Sequence, residues 1–336
     1  MTIESPARKP PVIGLDVGTS RVVAIREVEG QRTARAELNA FLSIPWSGMA
    51  EASLRRESIP FLVRHGEIVV IGNESARLGD LLGRELRRPM TRGMLNPEEP
   101  ESLELIRAIL RTVLEPDVTA GARVRFSVPS PPLAGGSTLT FHEASLRQIL
   151  EDLGYPDASG VNEGVAVVYS ELCDSNYTGI GVSFGGGLCN VSLAYLSVPA
   201  LSFSLPKAGD FIDSSAAAAA GELVNRVRLV KEELFHFNGN YPDKIQQALA
   251  VYYDDMIHAV AAGLREAMQN CRSLPRFGRP LPLVLSGGGA LPEGFRERFE
   301  KALLQARLPV PVSEIRLARH PLAATAEGAL AAALSE

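Results

Sequence analysis

The sequence predicts a mixed α/β protein of two lobes, and three observations support this prediction. The chain has 336 residues, which exceeds the size at which a single hydrophobic core usually stops growing. A unit of apolar strand, glycine-rich turn and apolar strand occurs at residues 12–25 and again, about 165 residues later, at residues 179–196. Apolar residues at helical spacing follow each of the two units. Strands and helices therefore alternate along the chain.

The remaining elements follow from the apolar periodicity and from turn residues. Residues 124–129 predict a strand that ends in a proline turn. Helices are predicted over residues 102–114, 143–153 and 244–269, because their apolar side chains recur on one face. A third apolar strand with a glycine turn follows at residues 283–291. Each half of the chain is thus predicted to combine a hairpin with later strands and helices.

The composition and net charge of the chain indicate which kinds of binding partner are not expected. Hydrophobic residues make up 46% and charged residues 22% of the chain, and the formal net charge is -5. These values are ordinary for a globular protein and give no reason to expect nucleic acid or an anionic membrane as the main partner. The three cysteines, Cys173, Cys189 and Cys271, show no CxxC spacing, so disulfide frameworks and zinc sites are not predicted. A reducing cytoplasmic location is expected.

No segment predicts export or a membrane span. Residues 1–11 are polar and contain prolines, without the apolar core of a signal peptide. No run of 18 apolar residues occurs, and the alanine-rich tracts at 214–220 and 323–334 are short and flanked by charges. Both tracts are predicted to be buried helices.

The glycine-rich turns of the two hairpins are candidate phosphate-binding sites. A turn without bulky side chains exposes consecutive backbone N–H groups, and such a concave nest attracts oxyanions. Each turn taken alone is also consistent with a plain hairpin, but the two turns together with LSGGGAL at residues 285–291 favour nucleotide binding. Neither GxxxxGK[ST] nor a GxGxxG between strand and helix occurs, which excludes the usual P-loop and dinucleotide sites.

Five segments in order resemble the motifs of the actin, sugar-kinase and heat-shock-chaperone superfamily: GLDVGTS, VRFSVP, NEGVAVVYS, GVSFGGG and LSGGGALPEGF. Within it the chain looks most like the bacterial actins, because residues 71–94 resemble a segment of MreB, whereas the first phosphate motif is similar to that of FtsA. The resemblance covers nearly the whole chain. It implies an actin-like two-lobed α/β fold with duplicated ribonuclease-H-like domains.

The resemblance also implies how the chain is divided. A polar tail covers residues 1–11, and the first lobe covers residues 12–160 with a small IB-like insertion at about 30–121. The second lobe covers residues 161–336 with a small IIB-like insertion at about 214–250.

Site roles follow from the same resemblance. Asp16 is expected to face an ATP-bound or ADP-bound Mg²⁺ through water, and Glu163 to orient the water that attacks the γ-phosphate. Taken alone, Glu163 fits a surface glutamate that opens a helix N-terminus better than a catalytic residue, and only the family context gives the two interpretations equal weight. The expected phosphate contacts are Gly18, Thr19, Ser20, Gly185, Gly186 and Gly187. The expected adenosine contacts are Gly209, Lys231, Gly287, Gly288 and Gly289. For Lys231 a solvated helix lysine is the favoured interpretation, because its resemblance to an adenosine contact is loose.

One departure from the family pattern concerns the second phosphate motif. The family has Asp before the glycines and Thr-Thr after them, where this chain has Ser183, Leu188 and Cys189. Mg²⁺ with a triphosphate is usually held by one or two carboxylates, so the loss of one leaves Asp16 largely alone. ATP binding is therefore expected, with slow ATP hydrolysis at most.

Three functions compete at this point. The leading one is a filament-forming cytoskeletal protein, as in bacterial cell shape or division, whose ATP state controls self-association. The second is an FtsA-like or PilM-like scaffold for an unknown protein partner. A sugar kinase ranks last, because no catalytic Asp for a sugar hydroxyl is evident. No amphipathic membrane anchor is visible, and the arginine-bearing residues 77–92 are interpreted as a solvated face, with a filament or partner contact as the alternative.

Overall fold

The computed structural model describes residues 10–114, 121–135 and 139–336, so most of the predicted polar tail lies outside the described residues. The strands are β1 (Val12–Val17), β2 (Arg21–Val28), β3 (Gln31–Leu38), β4 (Phe41–Pro45), β5 (Phe61–Arg64), β6 (Glu67–Ile71), β7 (Met90–Thr91), β8 (Met94–Leu95), β9 (Arg123–Val128), β10 (Asp157–Asn162), β11 (Gly179–Phe184), β12 (Cys189–Tyr195), β13 (Val198–Leu205), β14 (Leu281–Ser286) and β15 (Val312–Leu317). The helices are α1 (Gly48–Arg56), α2 (Asn73–Leu82), α3 (Ser102–Val113), α4 (Thr140–Asp152), α5 (Glu163–Glu171), α6 (Gly209–Ala220), α7 (Val224–Glu233), α8 (Lys244–Asn270), α9 (Phe295–Ala306) and α10 (Ala324–Ser335).

Two five-stranded sheets share one topology. The first has the order β3-β2-β1-β9-β10 and the second the order β13-β12-β11-β14-β15. In each sheet the first three strands are antiparallel, and the last two run parallel to the central strand. The predicted duplication of the hairpin is therefore confirmed, and it extends to the whole sheet.

Each sheet buries one face under helices of its own half. Beside the first sheet, apolar side chains of α3 and α4 pack around Leu15 and Phe126, both fully buried. Beside the second, α6, α8 and α9 pack around Phe184 and Tyr253. The helical periodicity that predicted α3, α4 and α8 marks the sides that face these cores.

The opposite faces of the two sheets meet through α5 and α10. Helix α5 follows the first sheet but packs on β11 and β12, and α10 follows the second sheet but packs on β1 and β9. Glycines allow this contact, because a Cβ on Gly328 would lie 1.8 Å from the Ala166 carbonyl oxygen and one on Gly14 would lie 2.1 Å from the Ala326 carbonyl oxygen. Each half is thus completed by a helix from the other.

The small insertion carries a three-stranded antiparallel sheet of order β4-β6-β5, together with α1 and α2. The chain then returns through β7 and β8 to α3. The division into lobes and insertions at residues 160 and 161 and at about 214–250 stays a prediction.

Of the two alanine-rich tracts, only the second is mostly buried, as part of α10. The prediction of burial is wrong for half of the first tract, since Ser214, Ala218 and Ala219 of α6 are exposed. Helix α6 packs against α8 with one face only, through Ile212 and Ala216. Within the described ranges, no helix has the length and apolar character needed to cross a membrane.

Candidate functional site

A cleft of about 440 Å³ opens between the two sheets, at the ends of their central strands. Both hairpin turns line it, as does the turn that follows β14. Every residue predicted to contact phosphate, metal or adenosine lines this cleft: Asp16, Gly18, Thr19, Ser20, Glu163, Gly185, Gly186, Gly187, Gly209, Lys231, Gly287, Gly288 and Gly289. The fold thus brings together segments that are far apart in the sequence, while their individual roles remain predictions.

The two hairpin turns have the same backbone geometry. Gly18 N donates to Arg21 O at 2.9 Å, and Gly185 N donates to Leu188 O at 3.0 Å. The turns also touch each other, because a Cβ on Gly186 would lie 2.0 Å from Ser20 Oγ. Within the described residues, the backbone N–H groups of the two residues after each first glycine have no hydrogen-bond partner. These donors are available to an oxyanion held between the turns.

Helix α6 supports the second turn from behind. Gly209 N donates to Gly185 O at 3.0 Å and Asp210 N donates to Gly186 O at 2.8 Å. A Cβ on Gly209 would lie 3.3 Å from Gly186 Cα, so a glycine lets the helix approach this closely. The positive end of the helix dipole therefore lies beside the turn and favours a negatively charged ligand.

Asp16 lies near the end of β1 and lines the cleft. Its Oδ1 accepts a hydrogen bond of 2.7 Å from Ser127 Oγ, which in turn accepts from Val17 N at 2.9 Å. Burial raises the pKa of Asp16 to about 6, and the Ser127 hydrogen bond opposes this rise. A cation bound next to Asp16 would remove the cost of ionising it.

Glu163 opens α5 and faces Asp16 across the cleft. The helix N-terminus is capped by Asn162, whose Oδ1 accepts from Gly164 N at 3.1 Å and from Val165 N at 3.3 Å. Burial, followed by the negative charge of Asp16, raises the pKa of Glu163 to about 8. The interpretation of Glu163 as a glutamate on the outer surface is therefore wrong, because its carboxyl group lies inside the cleft.

Asn190 is a site residue that the sequence did not indicate. Its Nδ2 donates to Glu163 Oε2 at 2.7 Å, and its Oδ1 accepts from Ser130 N at 2.8 Å. The backbone N–H of Ser130 can only donate, so the oxygen of the Asn190 amide must face it and the NH₂ group must face Glu163. No local motif points to Asn190; strand alternation in β12 is the one signal that places its side chain opposite that of Cys189.

The residues that replace the usual side chains of the second phosphate motif have separate environments. Ser183 is 5% exposed, lines the cleft and lies in register with Asn190 and Ser286. Leu188 also lines the cleft, and a Cβ on Gly93 would lie 2.5 Å from its Cδ1. Cys189 is buried in the second core, where its Sγ donates to Lys207 O at 3.1 Å. Neither Leu188 nor Cys189 supplies a hydroxyl group to the cleft.

The turn after β14 forms the floor of the other half of the cleft. Gly287 has φ +87°, and a Cβ there would lie 2.3 Å from Phe184 O, so both conformation and space require glycine. At Gly288 the nearest heavy atom to a built Cβ is Leu322 Cδ2 at 3.6 Å, so the space above this glycine is open. Further lining residues, to which the sequence assigned no individual role, are Arg21, Val23, Gly93, Glu232, Phe235, His236, Tyr253, Leu291, Pro292, Glu293, Pro321, Leu322 and Thr325. They come from several separate elements, so only the fold assembles them.

Lys231 reaches the cleft from α7, but it is not a solvated helix lysine. Its side chain is only 12% exposed, and Nζ lies 2.7 Å from Oδ1 of the buried Asp213. The solvated interpretation is wrong because α7 turns this face toward α6. The charge of Lys231 is therefore already partly neutralised within the protein.

The cleft, as formed by the described residues, has too few acidic side chains to bind Mg²⁺ by itself, but it has enough to bind Mg²⁺ that is also coordinated by phosphate oxygens. Among the described residues, no group of three or more His, Cys, Asp or Glu side chains is placed to hold a metal ion. Mg²⁺ with a triphosphate needs one or two carboxylates when phosphate oxygens and water complete its coordination, and Asp16 is placed to supply one.

Comparison with solved structures shows the same fold. A MamK double helical filament matches with a TM-score of 0.69 and 18% identity, covering 97% of this chain and 99% of that chain. MreB 5 of Spiroplasma citri bound to AMPPNP matches with a TM-score of 0.66 and 16% identity, covering 95% of each chain. Ethanolamine utilization protein EutJ from Carboxydothermus hydrogenoformans matches with a TM-score of 0.56 and 16% identity, covering 97% of this chain and 92% of that chain. The predicted actin-like two-lobed fold is confirmed.

Comparison by sequence assigns the family. None of the curated proteins compared with the chain matches it. One family model does match, over residues 12–333, and it spans both glycine-turn hairpins and both crossing helices. The chain belongs to the Volactin family.

Proposed function

We propose that this chain is an ATP-binding, actin-like cytoskeletal protein that assembles into filaments under nucleotide control and hydrolyses ATP slowly. The observation that carries the proposal is the single cleft in which both glycine turns and the β14 turn converge. Two facing turns with free N–H donors suit a phosphate chain, and the open space at Gly288 suits a planar base. MreB 5, which has this fold, is bound to AMPPNP in its structure, and this supports a nucleotide as the ligand.

Different parts of the cleft would contact different parts of the nucleotide. The β- and γ-phosphates would lie between the turns at Gly18 and Gly185, with the N-terminal end of α6 behind them. The adenosine would lie over Gly287 and Gly288. Asp16 would hold the Mg²⁺, which neutralises charge on the terminal phosphates when it is bound.

Slow hydrolysis follows from the residues near the terminal phosphate. Glu163 is fixed by Asn190 and is placed to accept a hydrogen bond from a water molecule and orient it. Ser183 contributes no charge where the family pattern has a carboxylate, so the metal would be held from one side only. Binding depends mostly on backbone donors and is retained, while the positioning of metal and water is weakened.

Self-association is the second part of the proposal. It is supported by the likeness to MamK, whose solved structure is a double helical filament. The alternative is a non-polymerising or weakly polymerising scaffold for a protein partner. Cytoplasmic location and a role in cell shape or division are expectations of the same proposal.

A thermal-shift titration followed by sedimentation tests both parts. ATP and ADP are expected to raise the melting temperature of the wild type with concentration, because a ligand of the folded state stabilises it by mass action. Gly288→Val should abolish the shift, since the new side chain fills the open floor at a position without positive φ. Gly278→Val is the matched control, because nothing lies within 4 Å of a Cβ at that exposed position.

Pelleting with ATP and strands in negative stain are then expected for the wild type and for Gly278→Val. The absence of a nucleotide shift in the wild type would overturn the proposed ligand. A nucleotide shift combined with monomeric behaviour at all concentrations would instead favour the scaffold.

A further inference from the structure

A cluster of charged side chains lies directly behind the two glycine turns. Arg88 comes from the segment between α2 and α3, and its Nη1 donates to Ser20 Oγ at 3.0 Å and to Asp210 Oδ1 at 2.7 Å. Ser20 belongs to the first turn, and Asp210 N donates to Gly186 O in the second turn. Arg88 therefore links a turn of the first half to a helix of the second half.

This cluster holds more positive than negative groups. Arg228 Nη2 lies 3.7 Å from the same Asp210 oxygen, and Arg228 Nε donates to Asp213 Oδ2 at 3.1 Å. Lys231 Nζ lies 2.7 Å from the other Asp213 oxygen. Three cations thus share two carboxylates. The side chain of Arg88 is only 18% exposed, so solvent screens this imbalance weakly.

The guanidinium group of Arg88 lies one hydrogen bond from the cleft. Ser20 lines the cleft, and its Oγ is so close to the second turn that a Cβ on Gly186 would lie 2.0 Å from it. A phosphate between the turns would therefore lie next to Ser20 and within the reach of a flexible arginine side chain. Ser183 brings no carboxylate to this end of the cleft, and the carboxylate to which Arg88 is bonded is that of Asp210.

We propose that Arg88 distinguishes a nucleoside triphosphate from a diphosphate by exchanging its bond to Asp210 for a bond to the terminal phosphate. With a diphosphate the terminal phosphate is missing and Arg88 keeps Asp210. With a triphosphate the phosphate oxygens form the stronger charge-assisted pair, and the link to α6 is released. This inference rests on the proposed ATP binding, and it identifies Arg88 as the residue that makes the site respond differently to ATP and to ADP.

If Arg88 exchanges partners in this way, substitution of Arg88 and substitution of Asp210 should change the affinity for ATP relative to ADP in opposite directions. Arg88→Ala should raise the Kd for ATP by roughly tenfold, the loss of one hydrogen bond to a charged group, and leave the Kd for ADP nearly unchanged. Asp210→Asn frees Arg88 from its competitor and should lower the Kd for ATP relative to that for ADP. If the pair only held the two halves together, both substitutions would shift the Kd values in the same direction.

Isothermal titration of the full chain with ATP and with ADP, each with Mg²⁺, measures these ratios. Arg87→Ala is the matched control for loss of an arginine, because Arg87 pairs with Glu99 on the surface. Glu222→Gln is the matched control for loss of a negative charge, because Glu222 pairs with Arg226. Both controls should keep the wild-type ratio of ATP to ADP affinity.

Three outcomes decide the matter. Opposite changes of the affinity ratio in Arg88→Ala and Asp210→Asn support the exchange. A wild-type ratio in Arg88→Ala, or a same-direction change in both variants, overturns the inference and leaves ATP binding intact. A wild type that binds neither nucleotide overturns both the inference and the proposed function.

Discussion

The side-chain amide of Asn190 donates a 2.7 Å hydrogen bond to the carboxyl group of Glu163, which no local sequence pattern would connect to it. Asn190 is fully buried, and Ser130 N fixes the orientation of its amide from the other side. The direction in which Glu163 faces the cleft is therefore set by a strand of the second sheet.

Asn190→Ala is expected to lower the free energy of unfolding by about 1–3 kcal/mol, because Ser130 N–H and Glu163 both lose a buried partner. Urea denaturation measures this change. Asn240→Ala, at an exposed position, is the control and should be close to neutral. Equal midpoints for the two variants would show that water replaces the Asn190 amide without cost.

Glu163→Gln is expected to alter the pH dependence of stability. Because folding raises the pKa of Glu163, the folded state holds its proton more tightly than the unfolded chain. The resulting stabilisation is complete below the usual glutamate pKa of 4.5 and is lost as the pH rises through about 8. Glu163→Gln stays neutral throughout, so it should exceed the wild type in stability at pH 8 by roughly 3–5 kcal/mol. Parallel curves of unfolding free energy against pH would contradict this.

His142→Leu is expected to stabilise the protein on the acid side. His142 is 3% exposed, its two ring nitrogens have no hydrogen-bond partner among the described residues, and burial lowers its pKa to about 4. The unfolded chain binds a proton near pH 6.5, so stability is complete above that pH and falls by about 1.4 kcal/mol per unit as the pH drops toward 4. His142→Leu should remove this slope in thermal melts between pH 4 and 6.5, whereas His258→Leu, at an exposed site, should retain it.

Ser183→Asp is expected to tighten ATP binding by roughly tenfold when Mg²⁺ is present, because a second carboxylate would hold the metal through water. In the presence of a chelator the same substitution should weaken binding, since the new charge then repels phosphate. Ser183→Asn has a similar size without the charge and should show neither effect. Weaker binding of ATP with Mg²⁺ by Ser183→Asp would mean that the turn around Leu188 no longer places a metal there.

Gly328→Ala is expected to cost about 1–3 kcal/mol or more, because its Cβ would overlap the Ala166 carbonyl oxygen and push α10 away from α5. Gly48→Ala in α1 is the control, since a Cβ there meets nothing within 4 Å. Guanidinium denaturation of both variants measures the difference. Equal stability would show that the crossing of the two helices can widen without loss.

Much of the fold could be predicted from the sequence because it depends on local residue patterns. The hairpin turns at Gly18 and Gly185 are marked by glycines between apolar runs, and α3, α4 and α8 by helical spacing of apolar residues. The convergence of the turns in one cleft followed from the resemblance to a known superfamily. The site residues that were missed act over distance: Asn190 is 27 residues from Glu163, and Arg88 is 122 residues from Asp210.

Lys231 shows why burial could not be judged from the sequence. The sequence of α7 is rich in charged residues, which is typical of a helix exposed to solvent. The sequence alone does not show that Lys231 pairs with Asp213 of α6. The exposure of Ser214, Ala218 and Ala219 in α6 was missed for the related reason that small side chains tolerate both environments.

The crossing of α5 and α10 has a consequence for synthesis on the ribosome. The first sheet emerges early, but the helix that covers its second face, α10, follows all the other described elements. Until α10 emerges, the apolar surface around Val23 and Ile25 lacks its cover from Ala326 and Leu330. The nascent chain must therefore leave this apolar face uncovered until α10 has been synthesised. Because each sheet is covered by a helix from the other half, two fragments obtained by dividing the chain between the halves should fold only when both are present.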